Sequence, residues 1–354
     1  MADREYIGCI HVHSTYSDGA STVPEIVAIA SQEGLDYLVV ADHRSDGCRE
    51  SGQTGWHGPL LCLSAPEIGL RGDPHFLVFC PQDIQSLEPL SPGEALAAAA
   101  QRGGLTILAH PHPAELKVYK RPPVGWTNLD SYVFDGIEIW SYLHDICHKL
   151  NPWRLARFWR NHQSLVRGPR PETLRLWDDL CRWRCVAGIG ALDNHATRLP
   201  LVGPTLPHGD LFRLFRTHVF CEKLPDDGDT AERALARALA SGRAFAAMDG
   251  WGDATGFRLR AEGPNLSLGF GDETAFAGGA RLVVTSPRSA ELTVLRDGEV
   301  IERKPEARAL ALPLDRPGVY RVEARLAGRP WVFTNPIYLR DAAHVAGGGP
   351  QTPS

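Results

Sequence analysis

The chain has 354 residues, of which 43% are hydrophobic, enough to bury either one large core or a core with a smaller second domain. Its 37 Lys and Arg and 42 Asp and Glu give a formal net charge of −5 and are spread along the chain, which argues against a nucleic-acid partner. The amino terminus lacks a basic stretch followed by an apolar run, and no segment reaches the length of a membrane span. We therefore expect a cytoplasmic protein with no membrane partner, and the oligomeric state stays open.

Short apolar runs alternate with amphipathic segments over the first two thirds of the chain. A strand is predicted for "YIGCIHV", then a helix for "STVPEIVAIASQEG" with Thr22 and Glu25 at capping-box spacing and Gly34 as its stop, then a strand for "YLVVADH". The next helix, "SPGEALAAAAQRGG", is capped at Ser91 and ended by Gly103. The strands "LTILAH", "FDGIEIW" and "CVAGIGALDNH", the helix "PETLRLWDDLCRW", and a last unit of "THVFC", "TAERALARALASG" and "RAFAAM" follow. This alternation predicts an α/β fold around a parallel sheet or barrel.

The chain divides into a large α/β part and a smaller all-β part. After about residue 253 the apolar pattern changes to the alternation of strands, in "RLVVTSP", "ELTVLRDGEVIERK", "GVYRVEARLAG" and "RPWVFTNPIYLRD". Asp297-Gly298 predicts a hairpin turn within this region. We therefore expect one domain over residues 1–253, an all-β domain over residues 255–341 and a disordered tail over residues 342–354. Residues 141–170 form a Trp- and Arg-rich insertion, which we interpret as a lid over a site.

Ligand-type side chains lie at the ends of the predicted strands. His11 and His13 close the first strand, and because residues two apart in a strand point to the same side, both can bind one ion. Similar positions are held by His43, Glu67, His75, His110, Asp193 and His195, and Glu138 lies within "GIEIW". The carboxyl ends of strands in barrels and doubly wound sheets converge on one face, so we expect these groups to meet in a single cleft. Carboxylates and imidazoles clustered in this way predict more than one metal ion.

Other histidines and one carboxylate are harder to assign. His112, in "HPHP", and His144 or His148, in the insertion, are expected to border the cleft. Glu138 is interpreted either as a partner of a ligand or as a cleft-facing acid. Surface or hydrogen-bonding roles are expected for the rest, which are His57, His162, His208 and His218.

The ordered motifs "HVHSTYSDG", "ADH", the Glu67 and His75 pair, "AHPHP" and "DNH" resemble those of the PHP (polymerase and histidinol phosphatase) family over roughly residues 6–250. The resemblance implies a distorted (β/α)7 barrel that carries two or three divalent metal ions. The helix "RPETLRLWDDL" and the β-rich end with "VFTNPIYLRD" are similar to the carbaryl-hydrolase-like branch of that family. For residues 255–341 we expect an immunoglobulin-like β-sandwich.

The resemblance also implies which residues hold each ion. The ligands of the first ion are His11, His13, Glu67 and Asp193, those of the second are Glu67, His75 and His110, and those of the third are Asp18, His43 and His195. Asp18 is expected to curl back toward the third ion from a turn at Gly19. Two departures from the family motifs affect neighbours of the ligands: Asn194 in "LDNH" is expected to reshape the pocket, and Ala41 replaces a usual Thr before Asp42.

Mixed imidazole and carboxylate ligation without thiolate suits zinc, manganese or iron. Two such ions lower the pKa of a shared water to about 7, which predicts hydrolysis by a metal-bridged hydroxide. Asp193 is the expected catalytic residue, because it can accept the proton of the attacking water. The first prediction is therefore a metal-dependent hydrolase, a phosphoesterase acting on a small phosphomonoester or phosphodiester.

For a phosphoester substrate, cations near the motifs could clamp the phosphate, and the candidates are Arg44, Lys117, Lys120 and Arg121.

Two other functions stay open. A hydrolase of carbamate, ester or amide bonds is the first alternative, with an aromatic leaving group seated by Trp126 and Trp140. The second alternative is a non-catalytic metal-binding scaffold.

Overall fold

The structure is a computed structural model that describes residues 3–70, 72–81, 83–87, 89–113, 125–127, 129, 132–148, 151–199, 203–264 and 266–342. Its α-helices are α1 (Val23–Gln32), α2 (Gly47–Glu50), α3 (Pro92–Gln101), α4 (Tyr142–Cys147), α5 (Pro152–Asn161), α6 (Pro171–Trp183), α7 (His208–Leu214) and α8 (Gly228–Ala240). Short 3-10 turns lie at Ile84–Leu87, His162–Leu165 and Asp249–Trp251. Within the described ranges, no helix is both long and apolar enough to cross a membrane. The predicted tail lies outside them beyond residue 342.

The strands fall into an amino-terminal and a carboxyl-terminal set. The first set is β1 (Arg4–Val12), β2 (Tyr37–Val40), β3 (Gly55–His57), β4 (Leu60–Ser64), β5 (Glu67–Ile68), β6 (Phe76–Phe79), β7 (Leu105–Leu108), β8 (Gly136–Ser141), β9 (Ala187–Ala191), β10 (Arg198–Leu199), β11 (Gly203–Pro204), β12 (Arg216–Cys221) and β13 (Ala244–Ala247). The second is β14 (Arg258–Gly263), β15 (Leu266–Leu268), β16 (Glu273–Ala275), β17 (Arg281–Arg296), β18 (Glu299–Pro313), β19 (Gly318–Leu326), β20 (Arg329–Thr334) and β21 (Ile337–Arg340).

Helix caps lie where the sequence predicts them. In α1, the Thr22 hydroxyl accepts from Glu25 N, and the Glu25 carboxylate accepts from Thr22 N at 2.8 Å. The chain leaves this helix at Gly34, whose φ of 68° suits a residue without a β-carbon. In α3, Ser91 donates from both its backbone N–H and its hydroxyl to the Glu94 carboxylate. Both predicted helix starts are confirmed.

The fold is mixed α/β and contains two main sheets. The larger runs in the order β15-β14-β17-β19-β20-β13-β12-β1-β2-β4-β3, and the smaller in the order β5-β6-β7-β8-β9. β1, β2 and β4 are parallel, as are β7, β8 and β9, whereas β12 pairs antiparallel with β1 and β13 pairs antiparallel with β12. The predicted parallel arrangement is therefore present in part of each sheet, and antiparallel pairs such as β1–β12 and β6–β7 complete it. Apolar patterning locates a strand but carries no information on its direction.

The two sheets meet along two seams at the strand ends that carry the ligand-type residues. At one seam the chain passes from β4 into β5, and Glu67 N donates to Asp42 O at 3.0 Å while Glu67 O accepts from Arg44 N at 2.9 Å. At the other seam, Asn194 N donates to His11 O at 3.1 Å, and Asn194 O accepts from His13 N at 2.9 Å. The described strands do not continue these bonds into a closed barrel.

One edge of β9 has no strand paired with it, and side chains bind the backbone N–H and C=O groups along that edge. Asn335 binds both the N–H and the C=O of Gly188, and Thr217 Oγ1 donates to Gly190 O at 2.9 Å. These side chains take the place of the strand that would close a barrel by backbone pairing. The edge of β9 is in this way tied to β12 and to the carboxyl-terminal strands.

The carboxyl-terminal strands extend the larger sheet. β20 pairs antiparallel with β13, with Phe245 opposite Thr334. The β17–β18 hairpin turns at Asp297 and Gly298, which have φ values of 53° and 83°, as the Asp-Gly pair predicts. An immunoglobulin-like sandwich is not confirmed, and the domain limits 1–253 and 255–341 stay predictions.

Candidate metal centre

Glu67 lies at the centre of the ligand-type side chains and is fully buried. Its Oε1 is 2.9 Å from His75 Nδ1 and 3.0 Å from His110 Nε2. Its Oε2 is 2.9 Å from His43 Nδ1 and 3.3 Å from His11 Nε2. Each carboxylate oxygen therefore has its own set of imidazoles, an arrangement that suits a carboxylate shared by two ions.

A first group of donors surrounds Glu67 Oε2. Asp193 Oδ1 is 3.5 Å from His11 Nε2 and 3.3 Å from His13 Nε2, and Glu67 Oε2 is 3.3 Å and 3.6 Å from the same nitrogens. Such separations fit neighbouring ligands of one ion with bonds of about 2.0–2.2 Å. His11 Nε2, His13 Nε2 and Glu67 Oε2 are buried and have no hydrogen-bond partner, which is rare for polar atoms unless an ion or water completes them. The residues present therefore fit a metal ion.

A second group consists of Glu67 Oε1 with the rings of His75 and His110. The backbone oxygen of His75 accepts from Trp126 Nε1 at 2.8 Å. The ring nitrogen Nε2 of His75 lies 3.1 Å from Leu70 O. Trp126 is buried against Phe76 and thus supports His75.

A third group is open to solvent. Asp18 Oδ1 is 3.3 Å from His195 Nε2, and Asp18 Oδ2 is 3.7 Å from His43 Nε2. The Asp18 side chain is 58% exposed. A β-carbon at Gly19 would lie 2.2 Å from His13 O, so only glycine permits this turn. Asp18 does curl back toward His43 and His195.

Electrostatics keep His13 neutral and the carboxylates ionised, whereas for His11 and His195 the facing carboxylates outweigh burial and raise the pKa, that of His195 to about 9. Burial and the charge of His195 lower the pKa of His13 to about 3, so His13 is neutral and offers a lone pair at pH 7. Burial opposes ionisation of Glu67 and Asp193, but the facing histidines, His11 first, outweigh it and hold both pKa values well below the usual range. Burial likewise raises the pKa of Asp18, yet His195 and its neighbours lower it to about 2.

Three of the proposed ligands have left-handed backbone conformations. The φ angles are 67° at His11, 26° at His110 and 52° at Asp193. Non-glycine residues pay about 1–3 kcal/mol each for such conformations, which cluster at functional sites. His11 and His13 do face one centre, with rings 5.0 Å apart, but the pairing of β1 with β2 shifts register between Cys9 and Val12. Regular strand alternation is therefore not the reason that the two rings converge.

Glu138 supports two of the ligands. Its Oε1 accepts from His11 Nδ1 at 2.6 Å, and its Oε2 accepts from His110 N at 2.9 Å. A proton held on His11 Nδ1 leaves the Nε2 lone pair free to face the donor group. Glu138 is thus a partner of ligands, and although it is only 1% exposed it also lies among the residues that line the cleft beside His110.

Two further supports were not identified from the sequence. Asp42 accepts from Ser14 N at 2.8 Å and from the hydroxyls of Ser14 and Ser17 at 2.6 Å, and so fixes the turn between His13 and Asp18. Asn194 Nδ2 donates to His208 Nδ1 at 2.9 Å, so His208 is a hydrogen-bonding histidine, one of the two roles expected for it. A carboxylate next to His43 was a usable signal for Asp42, whereas nothing in the sequence relates position 208 to position 194.

The insertion borders a cleft beside the centre. The cleft is lined by His110, His112, Trp140, His144 and Thr173 among others. His144 Nε2 lies 3.1 Å from Asp193 Oδ2, and His112 Nδ1 lies 3.0 Å from Thr173 Oγ1. His148 is not among the lining residues. The insertion therefore brings one histidine to the centre, and its role as a lid stays a prediction.

The cations expected to clamp phosphate are only partly within the described residues. Lys117, Lys120 and Arg121 lie outside them. Arg170, at the cleft, donates to the Glu172 carboxylate and to two backbone carbonyls, so it braces the loop beside His110.

No protein-family model and no curated protein matches the chain. Solved structures with low similarity include a two-domain protein from Bacteroides vulgatus containing a predicted PHP-like metal-dependent phosphoesterase (16% identity, TM-score 0.43, 94% of this chain and 95% of that one). A predicted metal-dependent phosphoesterase from Bifidobacterium adolescentis has 15% identity and a TM-score of 0.31, over 65% of this chain and 96% of that one. An amidohydrolase from Chromobacterium violaceum has 14% identity and a TM-score of 0.32, over 56% of this chain and 93% of that one. At these TM-scores the likeness carries no conclusion about function, and the family resemblance stays a prediction from the motifs.

Proposed function

We propose that the chain is a metal-dependent hydrolase of small phosphoesters, and that its two sheets are a PHP-type barrel opened along the edge of β9. One observation carries the proposal: imidazole and carboxylate donors lie close together around Glu67, and three buried atoms among them make no hydrogen bond. A folded protein retains such costly unpaired groups where a ligand completes them.

The donor groups suit zinc, manganese or iron, since they combine imidazole and carboxylate without thiolate. Divalent ions bound there lower the pKa of water and balance negative charge on substrate oxygens. A substrate with a phosphoryl group brings the negative charge that several cations favour, which is why phosphoesters come first.

Asp193 is proposed as the proton acceptor. Its Oδ1 faces His11 and His13, and its Oδ2 points the other way, toward His144 at the cleft. A carboxylate in this position can contribute Oδ1 to the donor group formed with His11 and His13 and can accept a proton at Oδ2. Glu138 contributes indirectly, because it fixes the ring of His11.

Hydrolysis of a carbamate, ester or amide remains the second candidate. The cleft beside His110 has apolar walls that include Pro111, Ile139 and Pro169, and these suit an apolar leaving group. Among the described lining residues, the one arginine, Arg170, is held by Glu172 and backbone carbonyls. This favours a leaving group without charge.

Substrate assays on metal-reconstituted protein test the proposal. We expect turnover of p-nitrophenyl phosphate or bis-p-nitrophenyl phosphate, loss of turnover with a chelator and in His13→Ala, and retention in the matched control His57→Ala, whose ring contacts Gln53 O on an outer hairpin. Turnover of 1-naphthyl N-methylcarbamate alone would support the second candidate. A metal-loaded protein inactive on all three compounds would contradict both and favour a scaffold.

A further inference from the structure

The insertion places His144 against Asp193, a proposed metal ligand. We propose that His144 is a positioning residue of the metal centre: its Nε2–H donates to Asp193 Oδ2 and thereby holds Asp193 Oδ1 among the donors around Glu67. This inference rests on the proposed function and deepens it, because it gives the insertion a part in building the site.

The two oxygens of Asp193 have different partners. Oδ1 lies 3.3 Å and 3.5 Å from the Nε2 atoms of His13 and His11, whereas Oδ2 lies 3.1 Å from His144 Nε2. Asp193 also has a left-handed backbone, with φ of 52°. A side chain on a strained backbone needs contacts that fix its rotation. His144 supplies that contact at the oxygen opposite the donor group.

Helix α4 holds His144 in a fixed place. Leu143 N donates to Leu192 O at 3.2 Å, which ties α4 to the residue directly before Asp193. Asp145 accepts from Trp140 Nε1 at 3.1 Å and from Gly168 N at 2.9 Å, so both ends of the insertion are anchored beside α4.

The ring of His144 also packs on its neighbour in the centre. Its centroid is 4.5 Å from that of His110, and its side chain is 16% exposed at the cleft. His110, His144 and Asp193 offer ligand atoms within 4.8 Å of one another. A direct ligand role for His144 is therefore the competing interpretation, and substitutions can separate the two.

Two variants separate the hydrogen bond of His144 from its ring contact. His144→Gln keeps an N–H donor at a similar reach but has no imidazole lone pair, while His144→Phe keeps a ring against His110 and has no donor. Zinc and manganese are titrated calorimetrically into metal-free wild type, both variants and His57→Gln, after each has been checked for folding by circular dichroism.

We expect His144→Phe to bind zinc about 10- to 100-fold more weakly with unchanged stoichiometry, as for other residues that orient ligands. His144→Gln and His57→Gln should bind as the wild type does. Wild-type affinity in His144→Phe would overturn the inference, and so would a loss of one ion per chain in both His144 variants, which would make His144 a ligand. The binding readout needs no substrate, so failure to hydrolyse phosphoesters would contradict the proposed function and leave this result standing.

Discussion

The Asn335 side chain occupies the open edge of β9, where it makes three hydrogen bonds to backbone groups. Its Oδ1 accepts from Gly188 N at 2.7 Å, and its Nδ2 donates to Gly188 O at 2.7 Å and to Ala244 O at 2.9 Å. Because β9 leads to Asp193, the same bonds brace a strand of the metal centre. We expect Asn335→Ala to destabilise the fold.

The size of the effect follows from the groups left behind. Ala244 O still accepts from the backbone N–H of residue 335, at 3.3 Å in the wild type, so Gly188 N–H and C=O are the groups that lose this partner. A buried polar group left without a partner costs about 1–3 kcal/mol, which gives about 2–6 kcal/mol for the two. The free energy of unfolding of a folded domain is about 5–15 kcal/mol, so the variant should lose a large part of its stability.

Urea denaturation of metal-free protein, followed by tryptophan fluorescence, measures the loss. Asn161→Ala is the matched control, because Asn161 is exposed and its side chain binds Ser164 N at a helix end. That control should cost about 0.5–2 kcal/mol, as a lost cap does. An Asn335→Ala urea midpoint no lower than that of Asn161→Ala would mean that the Asn335 hydrogen bonds do not stabilise the edge of β9.

Other predictions concern Glu138 and His218. Glu138→Gln removes the charge that holds His11 Nδ1 and should weaken zinc binding about 10- to 100-fold in a chelator competition, with unchanged affinity as the contrary result. Burial lowers the pKa of His218, but hydrogen bonds with Asp249 and Glu5 outweigh it and raise the pKa overall. A raised pKa gives stability that is complete below about 6.5 and lost as the pH rises through the folded-state pKa. Wild type should therefore exceed His218→Gln in unfolding free energy by more at pH 6 than at pH 9, and a margin that grows with pH would contradict this.

Local features of the fold could be predicted because their causes are close together in the sequence. The capping boxes at Thr22 and Ser91 and the hairpin at Asp297 each depend on residues within a few positions, and the structure has all three. The strand ends at His11 and Asp193 could be located for the same reason.

The contacts that complete the edge of β9 join distant residues and could not be predicted. Asn335 binds Gly188 across 147 positions, and no periodicity relates the two. His144 could be placed near the cleft by its position in the insertion, but its contact with Asp193 depends on how α4 packs. The family resemblance implied a distorted (β/α)7 barrel, whereas in the structure side chains satisfy the backbone groups at the edge of β9.

Elemental analysis of purified wild type and Glu67→Gln, after incubation with zinc, manganese or iron and removal of loose ions, shows whether metal binds around Glu67. Glu67 faces both the first and the second donor group, so we expect more than one tightly held ion per chain in the wild type and a loss of ions in the variant. A wild type that retains no ion, or a Glu67→Gln protein that retains as many as the wild type, would contradict this expectation.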